Sequence, residues 1–225
     1  MQKPETTSDI WADKASLVLI SGPSGNGKSY FLERLRANEL DSAIMNFLPQ
    51  GIAQWPILEA NDLLKQQHRP KRQNDLELSR NAPDIIAHYD SHFIRNYQLK
   101  SHENDPAHML WAKADKFYIV DLLADFETLR LQYQKREISA AKTKSMMSKL
   151  WSRFFKKPLK KALRKDQFTT GKELLQRPDL FYQLEDNWQR YVARLSKLDN
   201  CVSVLKLKRD DATKGGFAIV DDEVS

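Results

Sequence analysis

The sequence predicts an α/β fold: a three-layer sandwich on a mainly parallel, five-stranded sheet, with a helical lid inserted at about residues 138–180. Three observations lead there. Leu17-Val18-Leu19-Ile20 is a short, unbroken apolar run, as expected of a strand buried on both faces of a parallel sheet. A glycine-rich stretch follows it and opens into Ser29–Asn38, where Phe31, Leu32 and Leu35 recur at helical spacing between charges. Further apolar runs then alternate with helix-like segments, which argues for helices on both faces of a sheet.

In chain order, residues 1–15 lack a consistent period and read as a tail, with Ile10 and Trp11 able to tuck against the body, so that residues 16–225 form the single domain. After the strand at 17–20, the further strands expected are Ala43–Phe47, Ile85–Tyr89, Phe117–Val120 and Val202–Leu207. Helices are expected over 28–38, 56–67, 91–99, 125–137 and 181–197. The last carries Leu184, Trp188, Tyr191, Val192 and Leu195 on one side. No internal repeat is visible.

The 225 residues, 41% of them hydrophobic, suffice for one domain with a buried core. No signal-peptide pattern and no apolar run near the ~20 residues that span a bilayer is present, so a soluble, cytoplasmic protein is expected. The lone cysteine, Cys201, excludes an internal disulfide and a cysteine-cluster metal site; its apolar neighbours suggest a small buried hydrophobe. The formal net charge of +6 is unevenly spread. Residues 135–165 hold twelve Lys or Arg against one acid, Glu137, while the rest of the chain carries 24 basic and 29 acidic groups.

Residues 22–29, Gly-Pro-Ser-Gly-Asn-Gly-Lys-Ser, have the composition of a loop that cradles phosphate. Gly22 and Gly27 allow backbone angles closed to other residues, so that successive N–H groups can face an anion, and the helix that follows adds its positive end. Lys28 is placed to neutralise the β and γ oxygens of a nucleoside triphosphate, and the Ser29 hydroxyl to meet Mg²⁺. The nucleotide-binding residues expected are Gly22, Ser24, Gly25, Asn26, Gly27, Lys28, Ser29 and Tyr30, with ATP and Mg²⁺ as cofactors. A glycine turn before an ordinary helix leaves the offsets of Lys28 and Ser29 unexplained.

On these residues the chain resembles the P-loop kinase superfamily, and Ser21-Gly22-Pro23-Ser24-Gly25-Asn26-Gly27-Lys28-Ser29 is most similar to the loop of guanylate kinases. The resemblance covers about the first forty residues. The Ser-x-Thr-Thr-Arg-x-Pro-Arg segment with which guanylate kinases grip GMP does not occur here, and Tyr30 stands where that family usually has Thr. The resemblance implies a nucleotide-kinase-like sheet and phosphoryl transfer without naming the acceptor.

A carboxylate at the end of a neighbouring strand is needed to hold Mg²⁺ through water. Asp90 follows the strand at 85–89 and Asp121 the strand at 117–120. The resemblance places the third strand beside the loop strand and the fourth one place further out, which favours Asp90 as metal acid or general base and leaves Asp121 as the alternative; either is equally able to cap a helix. His88, Tyr89, His92 and Arg95 surround Asp90 as candidates to line an acceptor pocket near residues 69–95, although a strand His is commonly a hydrogen-bonded core residue. By the same resemblance, Arg130 and Arg136 match the arginines that reach the transferring phosphoryl group, with Lys28, Asp90 and Arg136 as the catalytic set.

Residues 142–157 plot as an amphipathic cationic helix. Met146, Met147, Leu150, Trp151, Phe154 and Phe155 cover one half, Lys142, Lys149, Arg153, Lys156 and Lys157 the other, and Pro158 stops it. As a lid it would bring Arg153, Lys160 or Arg164 to the γ-phosphate. As a surface helix it would dock on a membrane or a protein partner. Clustered rather than interleaved aromatics disfavour nucleic acid, and simple packing on the core remains compatible with a lid. The expectation is a phosphotransferase acting on a small molecule; the alternative is an ATP-dependent switch or adaptor.

Overall fold

The computed structural model describes residues 14–61, 81–92, 108–132 and 176–220. Strand β1 is Ser16–Ser21, and its last five residues are buried because both of its edges are paired. The other strands are β2 (Ile57–Glu59), β3 (Asp84–His88), β4 (Lys116–Leu123), β5 (Cys201–Arg209) and β6 (Phe217–Ile219). They form one six-stranded sheet in the order β2-β3-β1-β4-β5-β6. Every pairing is parallel except that of β6, which runs antiparallel on β5.

Helices cover both faces, which makes the fold a three-layer α/β sandwich. On one face Val18, Ile20, Ile86, Val120, Leu122, Leu205 and Leu207 meet Phe31 and Leu35 of α1 (Lys28–Arg36) and Ile44 of α2 (Ser42–Met45). On the other, Leu17, Leu19, Ile85, Ala87, Phe117 and Ile119 meet α3 (His108–Ala112) through Leu110 and Trp111. Helix α5 (Pro178–Leu195) covers the same face with Trp188, Tyr191, Val192 and Leu195. This alternation along β1 is the two-residue period of a strand with a helix layer on each side. A further helix, α4, described over 126–132, starts where Asp125 accepts bonds from Thr128 N and Oγ1, both at 2.7 Å, and packs Phe126 and Leu129 on Leu180, Phe181 and Leu184. Among the described residues no helix is long and apolar enough to cross a membrane.

Several expectations are corrected. The sheet has six strands, not five. Residues 43–47 contribute none: Asp41 caps the backbone N–H of Ala43 at 2.8 Å, and Ile44 and Leu48, four apart, are the buried positions, which is the period of a helix turn. The second strand is Ile57–Glu59, inside the segment read as helix 56–67; its pairing starts at Pro56, whose carbonyl accepts from Ile86 N at 3.0 Å. Residues 62–67 of that expected helix, and 93–99 of the next, lie outside the described residues. Strand β6 went unread because three residues carry no period. It is reached through Gly215 and Gly216 at φ 80° and 79°, and Gly215 needs to be glycine, since a Cβ there would lie 2.9 Å from Glu39 O.

The body begins before Ser16. Ala15 N bonds Pro83 O at 2.9 Å, Asp115 N bonds Lys14 O at 2.8 Å, and the buried Lys14 ammonium donates to Ala82 O at 2.6 Å, so burial pulls its pKa down. Residues 1–13 lie outside the description. Cys201 is half-buried, and that burial pushes its thiol pKa up. Helix α5 starts at Pro178, three residues earlier than expected, with proline in the first turn, where its missing N–H costs nothing. Strand β4 is not one place further out: it pairs directly with β1, opposite β3.

Trp188 anchors α5 to the sheet. It is fully buried, stacks on Tyr89 with ring centroids 5.3 Å apart and donates its indole N–H to Asp121 at 2.8 Å. Trp188→Ala is expected to cost about 3–5 kcal/mol of unfolding free energy. Urea denaturation monitored by far-UV circular dichroism measures it, and a loss below ~1 kcal/mol would show that the contact is replaceable.

Candidate functional site

Strands β3, β1 and β4 end side by side, and their carboxyl ends place three segments together. The first is the loop 22–27. Gly22, Gly25 and Gly27 have φ of 137°, 93° and 102°, angles that side chains disfavour. At Gly22 a Cβ would lie 2.5 Å from Leu122 O and collide with the Asn26 amide, which crosses the loop to donate to that same carbonyl. Gly27 caps α1 in the left-handed conformation, and Phe31 N returns to its carbonyl at 2.8 Å. The buried Lys28 side chain turns back over the loop and donates to Gly22 O and Pro23 O, both at 2.7 Å. Ser24 and Gly25 are half-buried, Asn26 is buried and Ser29 is exposed at the start of α1. Tyr30 is half-buried, with the Arg209 guanidinium 4.2 Å above its ring and that of Arg34 at 4.8 Å.

The second segment is the turn after β3. Tyr89 N bonds Ile20 O at 2.9 Å and Ser91 N bonds Gly22 O at 3.1 Å, which ties this turn to the loop. Asp90 is half-buried. Its backbone pairs with the Asn61 side chain, N–H to Oδ1 at 2.6 Å and carbonyl from Nδ2 at 3.3 Å, and its Oδ1 accepts from His92 N at 3.1 Å. The other Asp90 oxygen takes no hydrogen bond among the described residues.

The candidates around Asp90 separate. Tyr89 does not line a pocket: it is fully buried between Trp111 and Trp188, because its side chain leaves on the α5 face. His88 pairs with Glu59 of β2 at 2.8 Å, and His92 turns inward to Glu185 of α5 at 2.9 Å. Among the described residues His88 Nε2, Ser91 Oγ, His92 Nδ1 and Asn26 Oδ1 are buried without a hydrogen-bond partner. Each such atom costs on the order of 1–3 kcal/mol unless something meets it.

The third segment is Asp121, which lies within β4 as the register partner of Ser21. Its Oδ1 accepts from Ser21 Oγ and Trp188 Nε1, its Oδ2 from Gln189 Nε2, each at 2.8 Å. Gln189 also donates to Glu185 at 3.0 Å. Burial pushes the Asp121 pKa up from its ordinary 3.8, and the nearby Glu185 charge adds to this, while the three donors pull the other way. Arg130 is exposed and engaged locally with Glu127 at 2.6 Å. Arg95, Arg136, Arg153, Lys160, Arg164 and the segment 142–157 lie outside the described residues, as does 62–80.

Glu185, Gln189, Ser91, Asn61 and Arg209 were not anticipated. The 185–189 spacing of four marks one helix face, yet nothing in the sequence says that this face meets the end of β4. Among the described residues no three His, Cys, Asp or Glu gather to hold a metal. Mg²⁺ does not require such a cage, because it keeps waters and substrate oxygens as ligands, so one hydroxyl and one carboxylate at this edge fit it.

No family model matches the sequence, and comparison with curated proteins finds no match.

The raised pKa of Asp121 has a definite sign. Its carboxyl favours folding below 3.8, the unfolded value, and that contribution is lost as pH rises through the higher folded value. Asp121→Asn carries no such loss. The stability of the variant relative to wild type, from urea midpoints between pH 4 and pH 8, should therefore shift in the variant's favour as pH rises. A shift of the opposite sign would mean that the three donors outweigh burial.

Proposed function

We propose that the chain binds ATP with Mg²⁺ on residues 22–29 and moves the γ-phosphoryl group to a small acceptor. The observation that carries this reading is the loop itself. Three positive-φ glycines lead into the amino end of a nine-residue helix, and a buried lysine is folded over that loop's carbonyls. The first-turn N–H groups and the helix dipole favour an anion there, and Lys28 is the first residue of that helix. The strand order supports a site at this edge, because β3 and β4 flank β1 and bring Asp90 and Asp121 to the same edge as the loop.

Roles follow from what each group touches. Gly22, Ser24, Gly25, Asn26, Gly27 and Tyr30 shape the phosphate cradle, and Lys28 disperses charge on the β and γ oxygens. Mg²⁺ would supply charge neutralisation between those oxygens, with the exposed Ser29 hydroxyl as a direct contact and Asp90 reaching it through water. Asp90 is preferred over Asp121 because one of its oxygens takes no hydrogen bond among the described residues, whereas both Asp121 oxygens are engaged by Ser21, Trp188 and Gln189. Arg136 remains the proposed contact to the transferring group.

Isothermal titration with ATP and Mg²⁺ tests the central claim. Charged hydrogen bonds contribute about 1.5–3 kcal/mol each, so Lys28→Ala should weaken binding by about 100-fold. Equal affinity in the variant would sink the reading. Asp90→Asn should keep nucleotide affinity while lowering phosphoryl transfer about 10- to 100-fold, as expected for a group acting on the ion through water. Undiminished turnover would remove Asp90 from the mechanism. If ATP binds, no acceptor is phosphorylated, and anionic vesicles capture the protein only while Trp151 and Phe154 are intact, the switch or adaptor reading takes its place.

A further inference from the structure

Parallel pairing with β4 carries the carboxyl end of β5 to the same edge as the glycine loop, and the last residue of that strand is Arg209. Its place is fixed from several sides. The guanidinium carbon lies 4.2 Å from the centre of the Tyr30 ring and 5.9 Å from that of Phe217, and Nε donates to Asp211 Oδ1 at 2.8 Å. Phe217, the register partner of Arg209 on β6, is buried and meets Phe31 of α1 edge-on with centroids 5.3 Å apart. The hairpin that carries Arg209 is therefore seated on the helix that follows the loop.

The terminal nitrogens of Arg209 take no hydrogen bond among the described residues, and the side chain is 33% exposed, so a ligand can reach it from solvent. One of them borders the loop: a Cβ added to Gly27 would lie 3.8 Å from Nη1. Arg34, the other guanidinium beside Tyr30, is engaged by Glu39. A planar cation that stays charged at any working pH, held at Nε and open at both terminal amino groups, matches the oxygens of a phosphate. The size of Tyr30 then has a reason, since its ring supports that cation next to the loop.

We propose that Arg209 is a second cationic contact, after Lys28, for the phosphate chain of the nucleotide, with Tyr30 and Asp211 as its positioning residues. The proposal rests on the nucleotide reading of the loop and adds the direction in which the phosphates lie. Strand β5 stands two places from β1, on the side away from β3. The phosphate that meets Arg209 is accordingly the one farther from Asp90, toward the nucleoside.

Phenylglyoxal, which modifies accessible guanidinium groups, probes the wild-type full chain directly. Peptide mass mapping should show Arg209 shielded by ATP with Mg²⁺ and by inorganic triphosphate with Mg²⁺, but not by adenosine, while the exposed Arg190 reacts equally throughout. In calorimetry Arg209→Gln should bind ATP about 10-fold more weakly, and Arg209→Lys should recover only part of the loss, because an ammonium lacks the planar fork. Tyr30→Leu should weaken binding on its own yet add little in the Arg209→Gln background, as expected of a residue acting through another. Arg209 modified equally with and without ATP overturns the proposal, and needs no variant to fold. Shielding by adenosine but not by triphosphate overturns it too, as do Tyr30 and Arg209 losses that add in full. Wild-type affinity in Arg209→Gln overturns it while a loss in Lys28→Ala leaves the nucleotide reading standing; a wild-type chain that binds no ATP removes both.

Discussion

Strand β1 is hydrogen-bonded in parallel to β3 on one side and to β4 on the other, and the rest of the molecule is arranged around that double pairing. A strand paired on both edges has no backbone left to expose, so its residues Leu17 to Ile20 must be apolar on both faces and need a helix layer above and below. Parallel pairing also forces all three strands to end in the same direction. The chain leaves β1, β3 and β4 at one edge, where loop backbone is free of the ladder and available to a ligand. The glycine loop, the turn at 89–92 and Asp121 meet there although they are far apart in sequence.

A second constraint acts across the sheet. Asp121 is buried among Ser21 of β1 and Trp188 and Gln189 of α5, and Gln189 passes the connection to Glu185 and His92. Buried polar chains of this kind hold geometry because any member that moves leaves another unsatisfied. The line starts at the residue before the glycine loop and ends in the turn that bonds back to that loop. Helix α5 therefore takes part in the geometry of the edge even though it packs on the face opposite α1.

Much of the frame was legible because it depends on composition and period. The run Leu17-Val18-Leu19-Ile20 marked the central strand, the helix after it followed from Phe31, Leu32 and Leu35, and Trp188, Tyr191, Val192 and Leu195 identified the core face of α5. Short elements escaped for physical reasons. A three-residue strand such as Ile57–Glu59 owes its conformation to the neighbour it pairs with rather than to its own sequence, and the turn at Ser42–Met45 is decided by the Asp41 cap more than by its apolar content. The glycine loop was readable as a candidate site because its spacing is local. The His92–Glu185 pair was not, since it joins residues 93 positions apart and depends on how far α5 slides along the sheet.

The placement of the Lys28 ammonium on the carbonyls of Gly22 and Pro23 has one more consequence. The cation serves as an internal stand-in that holds the ring of the loop closed, so the cradle's shape is set at folding and needs no guest to form. If the loop takes the anion proposed for it, that anion must compete for this charge, and binding becomes an exchange of partners in which the contacts to Gly22 O and Pro23 O are surrendered. The affinity of such a site would measure a difference between anion oxygens and peptide oxygens. Under the same proposal a weak, singly charged anion would have little to offer over the carbonyls already in place, whereas a polyphosphate would displace them more readily.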